Sequence, residues 1–171
     1  MADVAGWAYL VGMTSLRPAR AWLCALSVAT AATLVGCSGP KEGALPSDAL
    51  DHAIGQAIGD PDTCLLLAER ASGKVLYRYG APFNCVRGLP ACDRPGFMSA
   101  KQALALAGTP GGRRASCPSN ADGSRTVGWA EGKAASRTRD LVYSAMMEGQ
   151  TALPGQEMNA RLYDAFQTAG L

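Results

Sequence analysis

The sequence is poor in the residues that most catalytic and metal sites need. It has one histidine, His52, and no two cysteines in C-x-x-C spacing. That composition excludes a Cys/His zinc site, and no metal or cofactor is expected. Only 6% of the residues are aromatic and 18% charged, with a net charge of +2 at pH 7. There is no basic run and no stripe of alternating basic and aromatic residues, so nucleic acid is set aside as a partner. No apolar run reaches the roughly 20 residues of a membrane-spanning helix. What is present is a chain of 171 residues, 48% of them hydrophobic. That is enough for one globular core and too much for disorder.

The N-terminus carries the clearest pattern. In "RPARAWLCALSVATAATLVGCSGP", Arg17 and Arg20 precede an apolar stretch at 21–35, followed by small residues. This is the layout of a secretory signal. Its end, Leu34-Val35-Gly36-Cys37, closely resembles the lipobox of bacterial lipoproteins. The resemblance implies a signal peptide over 1–36, a lipid on Cys37 and a tether over 37–46. A start at Met13 gives a more typical signal, "MTSLRPAR". Ser38, where an Asp would retain the protein at the inner membrane, points to the periplasmic face of the outer membrane in a Gram-negative host. Cys24 leaves with the signal, so Cys64, Cys85, Cys92 and Cys117 remain. Four cysteines in an oxidising compartment suggest two disulfides, with three possible pairings.

The rest of the chain, 47–171, reads as a single domain. Ser47 is placed to cap a helix whose apolar face is Leu50, Ala53, Ile54, Ala57 and Ile58. "CLLLAERASGKVLYRYG" predicts a hairpin turning at Ser72-Gly73, its first strand apolar throughout and therefore central. The turn sets Cys64 roughly opposite Ala81, which favours Cys64–Cys85. A loop over 81–95 and a helix over about 96–107 follow, ended by "GTPGG". Strands are expected at 115–118, at 125–131 and at 140–148, the first two around the turn "NADGS". Pro154-Gly155 opens a last helix lined by Met158, Leu162, Ala165, Phe166 and Ala169. The order α-β-β-α-β-β-β-α predicts an α+β domain: a five-stranded, mostly antiparallel sheet with the N- and C-terminal helices packed on it.

This order is similar to the α/β half of the serine β-lactamases and penicillin-binding proteins. "LLLAERASGKVLYRYG" resembles that family's first hairpin, and "RGLPACDRPG" the class D approach to the nucleophile, L-P-P-[AC]-S-T-F-K. "SCPSNADGSRTVGWAEG" resembles the segment at the K-T-G box, and "DLVYSAMMEG" the last strand. The resemblance implies that the hairpin's first strand lies beside the last strand, with the third strand at the far edge. It also brings Cys92 near Cys117. The local pairing Cys85–Cys92 would instead force Cys64 to Cys117, on strands that this sheet order keeps apart.

The chain departs from the family where the chemistry is. Asp93 falls at the serine position, Gly96 at the lysine position, and Arg113-Arg114-Ala115 at the K-T-G box. Ser99 and Lys101, on the following helix, have the wrong spacing for a serine–lysine pair. The family's helical lobe is replaced by about a dozen residues between Lys101 and Arg113, an ordinary loop length. The vestigial-site candidates are therefore Asp93, Ser99, Lys101, Arg113 and Ser116, and no catalytic residue is expected.

Other residues have bland expectations. His52 belongs on a helix surface, Trp129 and Met146-Met147 in the core, and Arg113-Arg114 on a surface loop. Glu69, Glu131 and Glu148 belong in solvent at strand ends. Trp22 goes with the signal. The expected function is a lipid-anchored envelope protein that binds peptidoglycan or another envelope protein. The alternatives are a roadblock- or profilin-like interaction module, and a serine hydrolase using Ser99 or Ser116 with His52 nearby.

Overall fold

The computed structural model describes residues 44–171. The signal, the start at Met13, the lipid site Cys37 and most of the tether lie outside the described residues. The elements run α1 (Ser47–Ile58), β1 (Thr63–Glu69), β2 (Val75–Tyr79), α2 (Pro82–Val86), β3 (Leu89–Pro90), β4 (Phe97–Met98), α3 (Ala100–Leu106), β5 (Arg113–Pro118), β6 (Thr126–Lys133), β7 (Leu141–Gly149) and α4 (Gly155–Thr168). Five strands form one sheet in the order β2-β1-β7-β6-β5, and β3 and β4 pair as a separate small hairpin. Every neighbouring pair is antiparallel. The fold is the expected α+β layering, and β1 lies beside β7 with β5 at the far edge.

Strand burial follows from this order. β1 and β7 are mainly apolar and buried up to their last residue because both of their faces are covered. On one face, Leu65, Leu67, Tyr143 and Ala145 pack under α1 and α4, with Leu50, Ile54, Met158, Leu162 and Phe166. On the other face, Cys64, Leu66, Val127, Trp129 and Met146 pack under α3 and the β3–β4 hairpin, with Leu89, Met98, Ala103 and Leu104. The edge strand β5 alternates, its odd positions half-buried and its even positions exposed.

The expected α4 stripe, Met158 to Ala169, is buried throughout, and so are Trp129, Met146 and Met147. The start of α4 comes very close to the sheet: a Cβ on Gly155 would stand 2.1 Å from the Trp129 carbonyl oxygen. Glycine is therefore required there. Ser116 Oγ accepts the Gly155 amide at 2.8 Å, so this hydroxyl ties the first turn of α4 to β5.

Several boundaries differ from expectation. Pro46, not Ser47, is the N-cap of α1, and no side chain caps it. The Ser47 hydroxyl points back to the Leu45 carbonyl instead. The span 81–95 is not a plain loop: Pro82 starts a short helix, and its end leads into the β3–β4 hairpin. α3 starts at Ala100 rather than near 96, because Ser99 is its N-cap in a capping box with Gln102. Arg113 and Arg114 open β5 rather than lying on a loop.

Candidate functional site

The β3–β4 hairpin carries Asp93 and Gly96 in its tip, over 91–96, and the sheet edge beneath it carries Arg113, Cys117, Trp129 and Glu131. Register explains the cluster. Arg113 pairs with Glu131 across β5 and β6, and Ala115 with Trp129, so the arginine, the tryptophan and the glutamate share one face. Cys117 is on that face too, and its disulfide to Cys92 pins the hairpin tip to β5 with Cα atoms 5.4 Å apart. The second disulfide, Cys64–Cys85, holds α2 against β1. Both favoured pairings are present.

Arg113 is the hub. Its Nη1 donates to the Ala91 carbonyl at 2.8 Å and to Asp93 Oδ1 at 2.7 Å. Nε donates to Glu131 Oε1 at 2.9 Å, and Nη2 to the same oxygen and to Met98 Sδ at 3.7 Å. The guanidinium lies 5.3 Å over the Trp129 ring, whose Nε1 donates to the Pro90 carbonyl at 2.8 Å. A guanidinium has five N–H donors. All five are engaged within the protein, so none is left for a substrate carboxylate.

The two carboxylates respond differently. The hydrogen bond from Arg94 and the one from Arg113 hold Asp93 below the usual carboxylate range, and it is partly exposed. Burial pushes Glu131 above that range, and Arg113 opposes the shift. The expectation that Glu131 is solvated fails, since it is 1% exposed. Its charge is sheltered because a fixed counter-ion lies on the adjacent strand.

The other candidates have separate structural positions. Ser99 is buried, with its Oγ 3.3 Å from the Gln102 amide and 3.2 Å from Gln102 Oε1. Lys101 is exposed and borders a different, mainly apolar cavity with Leu104 and Val142. Ser116 accepts the Gly155 amide in the first turn of α4, on the opposite face of the sheet from Arg113. His52, expected on a helix surface, is exposed on α1 and pairs with Gln56. The structure thus joins Asp93 to Arg113 and leaves Ser99, Lys101, Ser116 and His52 apart from them. Gly96, with φ +94°, sits in the hairpin tip and not on a helix. Among the described residues no group of three histidines, cysteines or carboxylates is placed to hold a metal ion.

A second ionic cluster went unforeseen in the sequence. Glu148, also expected in solvent, is buried at the end of β7. It accepts from Arg125 Nε at 2.7 Å and Nη2 at 2.6 Å, from Ser119 Oγ at 2.6 Å and from Arg87 at 3.4 Å. Asp62 completes it, 3.0 Å from Arg125. Glu69, by contrast, is half-exposed, with Arg139 at 3.6 Å. No local pattern marks the Glu148 cluster, because its members come from five separate segments.

The Arg125 hydrogen bonds dominate the titration of Glu148 and lower it to about 2. A folded-state pKa below the unfolded value gives stability that is present above about 4.5 and is lost as pH falls toward 2. Glu148→Gln is therefore expected to flatten the acid limb of the stability–pH curve, by up to roughly 2–3 kcal/mol between pH 5 and pH 2. Urea midpoints at each pH measure this, and an unchanged acid limb would contradict the assignment. Glu131, raised rather than lowered, works in the opposite sense in both proteins, so the difference between wild type and Glu148→Gln isolates the Glu148 contribution.

No family model, no curated protein and no solved structure matches this chain.

Proposed function

We propose that this chain is a lipid-anchored envelope protein whose domain acts by binding and performs no acyl transfer. The observation that carries the reading is the Asp93–Arg113 pair. The two residues that fall at the nucleophile and K-T-G positions of the penicillin-recognising enzymes are bonded to each other. Acyl transfer needs a hydroxyl or thiol nucleophile, a base and free oxyanion donors around an open space. Asp93 is a carboxylate held ionised, Arg113 has no free donor, and the Cys92–Cys117 disulfide crosses the same ground. The Ser99 hydroxyl is occupied as the N-cap of α3, and the Ser116 hydroxyl accepts the Gly155 amide. The sheet order is the one that the family resemblance implies. The ligand class, peptidoglycan, follows from that resemblance.

The lipid anchor rests on Leu34-Val35-Gly36-Cys37 behind an apolar stretch. Among the described residues no helix is long and apolar enough to cross a membrane. Several acyl chains on one residue hold a protein firmly to a bilayer. One experiment addresses both halves of the proposal. Palmitate labelling in the native host is expected to mark the wild type and not Cys37→Ala, and the labelled protein, in detergent, is expected to co-sediment with purified sacculi. Labelling that persists in Cys37→Ala refutes the anchor, and failure to co-sediment refutes the ligand class.

A second reading, a protein-interaction module, is favoured by one surface. Phe83 is 67% exposed, Val86 63% and Phe97 76%. Phe83 and Val86 lie one turn apart on α2, and Phe97 lies against Gly88 just beyond it. Neighbouring exposed apolar side chains of this kind are what a protein contact would cover.

A further inference from the structure

Where β5 begins, beside the residues that flank Arg113 and Glu131, the loop after α3 and the end of β6 line a half-open cavity of about 470 Å³. Its floor is mostly backbone, from Gly108, Gly111, Gly112 and Gly132. Gly112 has φ +62°, and a Cβ there would stand 2.2 Å from the Glu131 carbonyl oxygen. The charged lining consists of Arg70, Arg114 and Lys133, with no carboxylate among the lining residues.

Two of these three cations have no carboxylate partner among the described residues. Arg87, Arg94, Arg113, Arg125 and Arg161 each have a carboxylate within 3.4 Å. Arg114 has none among the described residues, and its Nη1 donates to the Gly111 carbonyl at 3.1 Å. Lys133 likewise has no carboxylate partner among them. Arg70 meets Asp140 at 3.8 Å, and its Nη2 reaches over the cavity rim to the Gly108 carbonyl at 3.2 Å. Asn159, at the α4 side, accepts the Tyr143 hydroxyl on Oδ1, which leaves its amide N–H groups to donate. The cavity therefore presents cationic and neutral donors and, apart from backbone carbonyls, little that would repel an anion.

We infer that this cavity binds a phosphate-bearing anion, held by Arg70, Arg114 and Lys133 over the glycine floor. A doubly charged oxyanion suits three cations better than a single carboxylate does, and arginine forks grip phosphate oxygens in pairs. The inference is independent of the proposed function: the cavity shares no side chain with the Asp93–Arg113 cluster.

The test is isothermal titration of the detergent-solubilised full chain with inorganic phosphate at low salt, against sodium chloride of equal ionic strength. Saturable binding of phosphate and not of chloride is expected. Arg114→Gln with Lys133→Gln is expected to weaken it by about tenfold or more, since charge-assisted bonds to oxyanions are the strong ones. Both side chains are exposed, so folding is not at stake. Arg78→Gln with Arg137→Gln removes two exposed cations elsewhere and is expected to change nothing. No saturable binding, or an equal loss in both double variants, overturns the inference. The source of the phosphate is decided by flotation of Cys37→Ala with phosphatidylglycerol or phosphatidylcholine vesicles. Flotation with the first alone, lost in the Arg114/Lys133 variant, assigns a lipid headgroup. No flotation alongside phosphate binding assigns a soluble phosphate compound.

Discussion

Arg113→Met is expected to destabilise the domain by about 3–5 kcal/mol, because it leaves Glu131 buried without its counter-ion. Glu131 is 1% exposed and cannot regain water. The hairpin also loses Arg113's bonds to Ala91 and Asp93. The sign with pH is fixed by Glu131. Without Arg113 its folded pKa rises further, so the deficit is largest at neutral pH and shrinks as pH falls toward the unfolded carboxylate value of about 4.3. Arg113→Met combined with Glu131→Leu is expected to recover more than half of the loss, since a buried ion pair exchanged for apolar side chains is often near neutral. Urea denaturation at pH 7 and pH 5 checks all three statements. A double variant no more stable than the single one would show that the buried charge is not the cause.

Removing the Cys92–Cys117 bridge is the second large effect. The cysteines are 25 residues apart in sequence. Loop-closure entropy for a ring of that size corresponds to about 3.5 kcal/mol. The replacement at position 92 matters, because Cys92 has φ +69°, a region that only glycine adopts freely. Alanine there costs about 1–2 kcal/mol in the folded state, whereas glycine costs about 0.4–1 kcal/mol through the freedom of the unfolded chain. Cys92→Gly/Cys117→Ala is therefore expected to be the more stable of the two double variants, though both fall below the wild type. Amide exchange over 91–98 is expected to quicken in both while α1 and α4 stay protected, because only packing and the Arg113 and Trp129 hydrogen bonds then hold the tip. Stability equal to wild type in the alanine variant would contradict the bridge as the hairpin's main tie.

Much of the framework is legible in the sequence because it depends on local periodicity. The unbroken apolar run of β1 and the apolar residues on both faces of β7 require cover on both sides, and the structure provides it. The stripe of α4 and the turn at Ser72-Gly73 are equally local. The hairpin register already favours the Cys64–Cys85 pairing that the structure has. What is not legible depends on partners distant in the chain. Glu131 and Glu148, taken one at a time, belong in solvent. They are buried because Arg113, Arg87 and Arg125 arrive from other strands and loops. Likewise Arg113-Arg114 looks like a surface pair, but β-strand alternation sends one side chain under the hairpin and the other to solvent. Ser99 is a different case. The spacing Ser99-x-x-Gln102 is a capping box, a signal that is present in the sequence and that competes with the serine–lysine reading of the same residues.

The most direct measurement is incubation of the full chain with a fluorescent penicillin, followed by a denaturing gel. The account predicts no labelled band. On the proposed resemblance Asp93 and Gly96 fall at the serine and lysine positions; Arg113 is fully engaged, Ser99 caps α3, and Ser116 Oγ accepts the Gly155 amide. A labelled band that disappears in Ser99→Ala would contradict it by showing a working nucleophile at the start of α3. A band lost only in Ser116→Ala would contradict it equally and move the nucleophile to β5.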